Sequence, residues 1–79
     1  MQLKVKLYAT LSKYAPDGRA GTAHEIDLPE DGTVRDLLEH LEVPLAEARV
    51  IFVNGRAAEL DRKLEPGDEV GVFPAVGGG

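Results

Sequence analysis

Only one stretch of the chain repeats apolar residues at the spacing of an α-helix. Four of them follow at i, i+3, i+4 and i+7 and define one face: Val34, Leu37, Leu38 and Leu41. Thr33 precedes this stretch as a predicted N-cap, with Asp36 as its capping-box partner, and Pro44 marks the predicted end. A single amphipathic helix has to bury its apolar face against something else, so the remaining apolar residues are expected to form a sheet.

The other apolar segments have the pattern of β-strands, in alternation or in short β-branched runs. The predicted strands are residues 1–9, 24–28, 49–53 and 69–73. Asn54-Gly55 predicts a tight hairpin after the third strand, and Pro66-Gly67-Asp68 predicts a turn before the last. Strand, strand, helix, strand, short irregular piece and strand is the order of a ubiquitin-like β-grasp. We therefore predict an α+β fold, with a mixed sheet of four to five strands covered by one main helix and with the first and last strands parallel at its centre.

Composition excludes several classes of function. The 79 residues include no cysteine, which rules out disulfides, thiolate metal sites and a cysteine nucleophile. Fourteen acidic residues against nine basic ones give a net charge of −5, which opposes nucleic-acid binding. The charge favours a basic protein surface as partner, or it serves only solubility. No apolar run is long enough to span a membrane, and charge interrupts the first residues as it would not in a signal peptide, so a cytoplasmic protein is expected.

No residue pattern predicts catalysis by this chain itself. His24 and His40 have no carboxylate or cysteine at metal-ligand spacing, and both are predicted to lie on the surface. The glycine-bearing loops at 16–21 and 29–33 lack the spacing of a phosphate-binding loop, so the chain is not expected to bind ATP. We predict no bound cofactor and no metal. The domain is expected to act as a substrate and carrier.

Four segments of the chain resemble the MoaD/ThiS family of sulfur carriers, and the similarity spans the whole length. They are Lys6-Leu7-Tyr8-Ala9, Thr33-Val34-Arg35-Asp36-Leu37, Val53-Asn54-Gly55 and the C-terminal stretch 66–79, which ends in glycines. The chain looks more like MoaD, the small subunit of molybdopterin synthase, than like ThiS. It departs from the family in having a third glycine, Gly77, and in having Ala75 where a second proline is frequent. Relatives in thiamine, cysteine and tRNA-thiolation pathways share such tails, so these pathways stay open.

The resemblance implies a chemistry at the last residue, Gly79. In the family a ubiquitin-activating-enzyme-like adenylyltransferase uses ATP to adenylate the terminal carboxylate. Sulfur from a donor enzyme then displaces AMP and leaves a thiocarboxylate. The molybdopterin synthase large subunit, or another sulfur-accepting enzyme, takes the sulfur. With no cysteine in this chain, the sulfur has to come from outside it.

A β-grasp domain over residues 1–74 is predicted to present a flexible tail over 75–79, because glycines without β-carbons form a narrow thread. The predicted partner-binding residues lead up to Gly79: Phe73, Pro74, Ala75, Val76, Gly77 and Gly78. Phe73 falls on the opposite strand face from Val72 and is either an exposed docking anchor or an aromatic residue of a second core. The alternatives for the tail are a frayed end, a ubiquitin-like modifier joined to lysines through Gly79, and a plain binding module that does not use the tail.

Overall fold

Five strands form one mixed sheet, and one α-helix lies on one of its faces. The structure, a computed structural model, describes residues 1–75. Its elements are β1 (Gln2–Leu7), a 3-10 helix (Ala9–Tyr14), β2 (His24–Asp27), α1 (Val34–His40), a second 3-10 helix (Leu45–Glu47), β3 (Val50–Val53), β4 (Arg56–Ala57) and β5 (Glu69–Phe73). The strand order is β2-β1-β5-β3-β4, with β1 parallel to β5 and the other pairs antiparallel. The predicted α+β β-grasp, with its first and last strands paired in parallel, is confirmed.

The helix begins at the capping box that the sequence predicts. The Thr33 hydroxyl accepts the N–H of Asp36 at 3.2 Å, and the Asp36 carboxylate accepts the N–H of Thr33 at 2.9 Å. Two otherwise unpaired N–H groups of the first turn are thereby satisfied. The N–H groups of Val34 and Arg35 donate to carbonyls in segment 60–62, so the same turn also holds the loop that precedes β5.

The helix ends at His40, before the predicted end at Pro44. Glu42 has a φ of 59°, in the left-handed region. Its N–H and that of Val43 bond back to the last turn, the second reaching the carbonyl of Leu38 at 2.9 Å. This is a Schellman motif with a glutamate where glycine is usual. The prediction is wrong because a left-handed residue, and not the proline, stops the helix.

The core lies between α1 and the sheet face that α1 covers. Its residues are buried and apolar: Leu3, Val5, Leu7, Leu11, Ala15, Ile26, Leu28, Val34, Leu37, Leu38, Val43, Ala48, Ile51, Val53, Leu64, Val70 and Val72. The alternation along β1 and β5 places every second side chain in this core. The intervening side chains lie on the opposite face, which no helix of the described residues covers.

Two turns that are distant in sequence are joined at the start of β5. Asn54 and Gly55 both have positive φ, 52° and 81°, as the predicted two-residue hairpin requires. The Asn54 side chain donates to the Asp68 carboxylate at 2.9 Å and accepts the N–H of Glu69 at 2.9 Å. Asp68 is buried and also accepts the N–H of Glu65 at 2.8 Å. These bonds fix β5 in register beside β3.

Candidate functional site

The uncovered sheet face carries the largest exposed apolar side chains of the sheet. Strand register places Phe52, Gly71 and Lys6 in one row across β3, β5 and β1. Val50 and Phe73 form the next row. Phe52 is 36% exposed and Val50 is 43% exposed. We call this surface, formed by Lys6, Tyr8, Val50, Phe52, Gly71 and Phe73, the open face.

Three aromatic rings pack together on the open face. The rings of Tyr8 and Phe73 are stacked, with centroids 4.2 Å apart and an interplanar angle of 3°. Phe52 meets Phe73 edge to face at 5.8 Å and 89°. A β-carbon on Gly71 would lie 3.5 Å from the Tyr8 ring and 3.8 Å from the Phe73 ring, so both rings lie close to this glycine. Aromatic clusters of this kind combine apolar area with fixed geometry, as protein interfaces favour.

Phe73 is neither a fully exposed anchor nor a residue of a second core. It lies opposite the buried Val70 and Val72, as the alternation predicts, and it is half-buried. Its cover is the Tyr8 ring and not a second core. The space that Gly71 leaves on the same face, because it has no side chain, is partly filled by Tyr8.

An open groove of about 400 Å³ runs along this face. Phe52, Phe73 and Tyr8 supply its aromatic walls, and Lys4, Lys6, Glu69 and the Asn54-Gly55 turn complete its lining. The groove combines apolar surface with a few polar groups, which suits a protein side chain better than a buried small molecule.

The last described residues leave the sheet beside this groove. The Phe73 carbonyl accepts the N–H of Arg49 at 3.0 Å, so β5 is held to its final residue. Pro74 is half-buried and has no N–H with which to continue the ladder, and Ala75 is exposed. Partner binding by these residues stays a prediction. The other predicted site residues, Val76, Gly77, Gly78 and Gly79, lie outside the described residues.

The prediction that His24 lies on the surface is wrong. Its side chain is 15% exposed, and its Nε2 lies 3.0 Å from Oδ1 of Asp17, without hydrogen-bond geometry. His24 is the register partner of core residue Val5, so it faces the core side of β2. The sequence signal for the burial of His24 was its two-residue spacing from Ile26, because residues i and i+2 of a strand lie on the same face. His40 is exposed, as predicted.

The Asp17 carboxylate joins His24 to the loop before β2. It also accepts the backbone N–H of Arg19 at 2.9 Å. This hydrogen bond, and then the nearby imidazole, holds the pKa of Asp17 below its usual range. The arrangement holds an exposed loop against β2, and within residues 1–75 no cluster of possible metal ligands includes it.

Sequence reasoning missed two contributors to the open face. From the sequence, the alternation of residues 1–9 indicates only that Tyr8 lies on the solvent side of the first strand, and Phe52 is only one member of the apolar run 49–53. Their role depends on strand register, which brings Tyr8 onto Phe73 and Phe52 beside Gly71. Within residues 1–75 no three histidine, aspartate or glutamate side chains come together as metal ligands do. No helix in the described part of the chain is long and apolar enough to cross a membrane.

We compared the whole chain with known protein families and with solved structures. The ThiS family model matches residues 5–79. A Pyrococcus furiosus protein assigned as subunit 1 of the molybdopterin-converting factor is 34% identical, with a TM-score of 0.72, over 96% of this chain and 99% of that one. Small archaeal modifier protein 1 of Haloferax volcanii is 27% identical, with a TM-score of 0.75, over 95% of this chain and 98% of that one.

A third structure is similar in fold alone. It contains subunits 1 and 2 of the molybdopterin-converting factor of Helicobacter pylori as a protein–protein complex, and it matches at 20% identity and a TM-score of 0.63, with both chains covered fully. No protein with a curated description matches the sequence.

Proposed function

Because the chain belongs to the ThiS family of ubiquitin-like sulfur carriers, we propose that the Gly79 carboxylate is its reactive group. The carboxylate oxygen attacks the α-phosphorus of ATP on a partner adenylyltransferase and expels pyrophosphate. Hydrogen sulfide ion released by a donor enzyme then attacks the acyl carbon, AMP leaves, and a thiocarboxylate remains after the S–H proton is lost to water. The observation that carries this proposal is the family match, which extends through Gly79.

In this proposal the folded domain supplies the surface by which the partner binds the chain. The open face lies next to Pro74, where the chain leaves the sheet, so a partner docked on that face can also receive the tail. Residues 73–78, which connect the sheet to Gly79, are proposed to contact the partner. ATP is bound by the adenylyltransferase, and no cofactor is assigned to this chain. The lack of cysteine accords with a cytoplasmic setting, where small domains do without disulfides.

Loading of the tail with sulfur is tested by intact mass. The chain is incubated with ATP, the adenylyltransferase of the same organism and a sulfur donor. The expected gain equals the mass difference between sulfur and oxygen, and it is absent without ATP. A chain lacking residues 77–79 is the matched control, because deletion of Gly79 alone would leave another terminal glycine. No gain with any adenylyltransferase of that organism would reject the carrier function.

For the pathway, we propose molybdopterin synthesis, with the chain as the small subunit of molybdopterin synthase. The 34% identity to the Pyrococcus furiosus protein supports this choice. The loaded chain, mixed with a molybdopterin synthase large subunit and the pterin precursor, is expected to yield molybdopterin. If sulfur instead reaches a thiazole synthase, a cysteine synthase or a tRNA-thiolating enzyme, the chain serves that other pathway.

A second function has support in the similarity to small archaeal modifier protein 1. The same acyl-adenylate can be attacked by a lysine amine, which would form an isopeptide bond and release AMP. Cell extracts would then contain heavier covalent forms that disappear when residues 77–79 are deleted. A single band at 8.5 kDa would argue against this function.

A further inference from the structure

The groove on the open face has a charge opposite in sign to that of the whole molecule. The chain carries a net charge of −5. The groove is lined by two lysines, Lys4 and Lys6, and by only one carboxylate, Glu69. Glu25, the register partner of Lys4 on β2, adds a second carboxylate beside that lysine, so the local positive charge on this acidic protein lies at Lys6. At contact distance the local charge matters more than the net charge, because salt screens charges farther away.

The two lysines differ in their neighbours. Lys4 is the register partner of Glu25 on β2 and of Glu69 on β5, so carboxylates flank it on both sides. Lys6 is the register partner of Gly71, which has no side chain. In the part of the chain that the structure describes, no carboxylate oxygen lies within 4.0 Å of either ammonium, so the two lysines differ in their flanking residues and in their burial. Lys6 is also half-buried, whereas Lys4 is exposed.

We propose that Lys6 determines partner specificity by pairing with a carboxylate of the docked protein. This inference rests on the proposed function and names the chemistry of the partner at the same face. The partner presents apolar side chains to Phe52 and Phe73 and an aspartate or glutamate to the Lys6 ammonium, because Gly71, the register partner of Lys6, has no side chain to compete for it. Charges arranged in this way raise the association rate and select the right partner more than they raise affinity.

The partner patch is therefore apolar and acidic, opposite to the basic surface that the net charge favours. Aromatic walls exclude water around the pair and reduce its screening. The flanking glutamates make Lys4 a poorer site for the same contact, because a partner carboxylate there would meet like charges.

Binding of Lys6→Gln, Lys6→Glu and Lys4→Glu variants to the purified adenylyltransferase of the same organism tests this proposal. We expect Lys6→Gln to weaken binding about fivefold to tenfold, and Lys6→Glu about thirtyfold or more, mainly through slower association. Lys4→Glu should change binding by less than about twofold. Added salt should weaken the wild type more than Lys6→Gln. Thermal unfolding of each variant shows whether it is folded.

Three outcomes would overturn the proposal, and they can be told apart. If Lys6→Glu binds as well as the wild type while Phe52→Ser does not, the role of Lys6 is rejected and the carrier function stands. If the wild-type chain neither binds nor gains sulfur, the carrier function fails and the inference fails with it. Equal losses for Lys4→Glu and Lys6→Glu would show general charge steering and would also reject a specific pair.

Discussion

At the scale of single residues, the backbone of Glu42 is unusual for its side chain. Its φ of 59° is typical of glycine, and this left-handed backbone allows the Schellman hydrogen bonds that end the helix. We expect Glu42→Gly to raise the free energy of unfolding by about 0.5–1 kcal/mol, because relief of the left-handed strain outweighs the added chain entropy. Urea denaturation measures this change.

The matched control is Glu39→Gly, within the helix, where the same substitution should lower stability by about 1 kcal/mol. Equal effects at the two positions would show that the left-handed conformation of Glu42 is not a source of strain.

Asp68 is the buried charged residue on which β5 depends. Its carboxylate accepts hydrogen bonds from Asn54 and from the N–H of Glu65. Asp68→Ala leaves both donors without this partner and should cost about 1–3 kcal/mol of unfolding free energy. Asp61→Ala, at an exposed position, should change stability by less than about 0.5 kcal/mol. A loss no larger for Asp68 than for Asp61 would contradict this role.

The contacts of the Asp17 carboxylate with the Arg19 N–H and with His24 predict that the stability of the folded protein depends on pH in the acid range. Since the pKa of Asp17 is lowered in the folded state, its ionised form contributes stability above its ordinary pKa. This contribution is lost as the pH falls through the folded pKa. Asp17→Asn should therefore flatten the decline of the melting temperature below pH 5 while leaving the rest of the curve similar in shape. An unchanged acid limb would contradict this link.

At the scale of elements, the central strands use one face for the core, and their other face is the proposed docking surface. Phe52 lies on the open face and is 36% exposed, so Phe52→Ser should change stability by less than about 1 kcal/mol. The same change should slow sulfur loading at least about tenfold, because it removes an aromatic docking contact.

Leu45 provides the control for this experiment. It is 38% exposed but lies in the second 3-10 helix, outside the open face. Leu45→Ser should leave the loading rate unchanged. If both variants slow loading equally, the open face is not the docking surface.

The elements also show where sequence reasoning succeeds and where it stops. The capping box at Thr33 and the Asn54-Gly55 hairpin were predictable because a few adjacent residues determine them. The end of the helix was not, because Glu42 carries no local signal for a left-handed backbone. The stack of Tyr8 on Phe73 was not either, because it depends on the register between the first and last strands.

At the scale of the whole molecule, folding and chemistry are proposed to use different parts of the chain. The core set of the described residues runs from Leu3 to Val72. Removal of residues 76–79 should therefore change the free energy of unfolding by less than about 0.5 kcal/mol while abolishing sulfur loading. Denaturant unfolding and intact mass measure the two effects. A marked loss of stability would show that the tail belongs to the folded domain.

The parallel pairing of β1 with β5 has a consequence for synthesis on the ribosome. The sheet joins its first strand to its last, so β1 has no central neighbour until residues 69–73 have been made. Tyr8 likewise has no Phe73 to stack on before that point. A chain that ends before β5 therefore lacks the open face. Under the proposed function, such a chain is not expected to compete with finished chains for the adenylyltransferase, so the topology would restrict recognition to chains that are nearly complete.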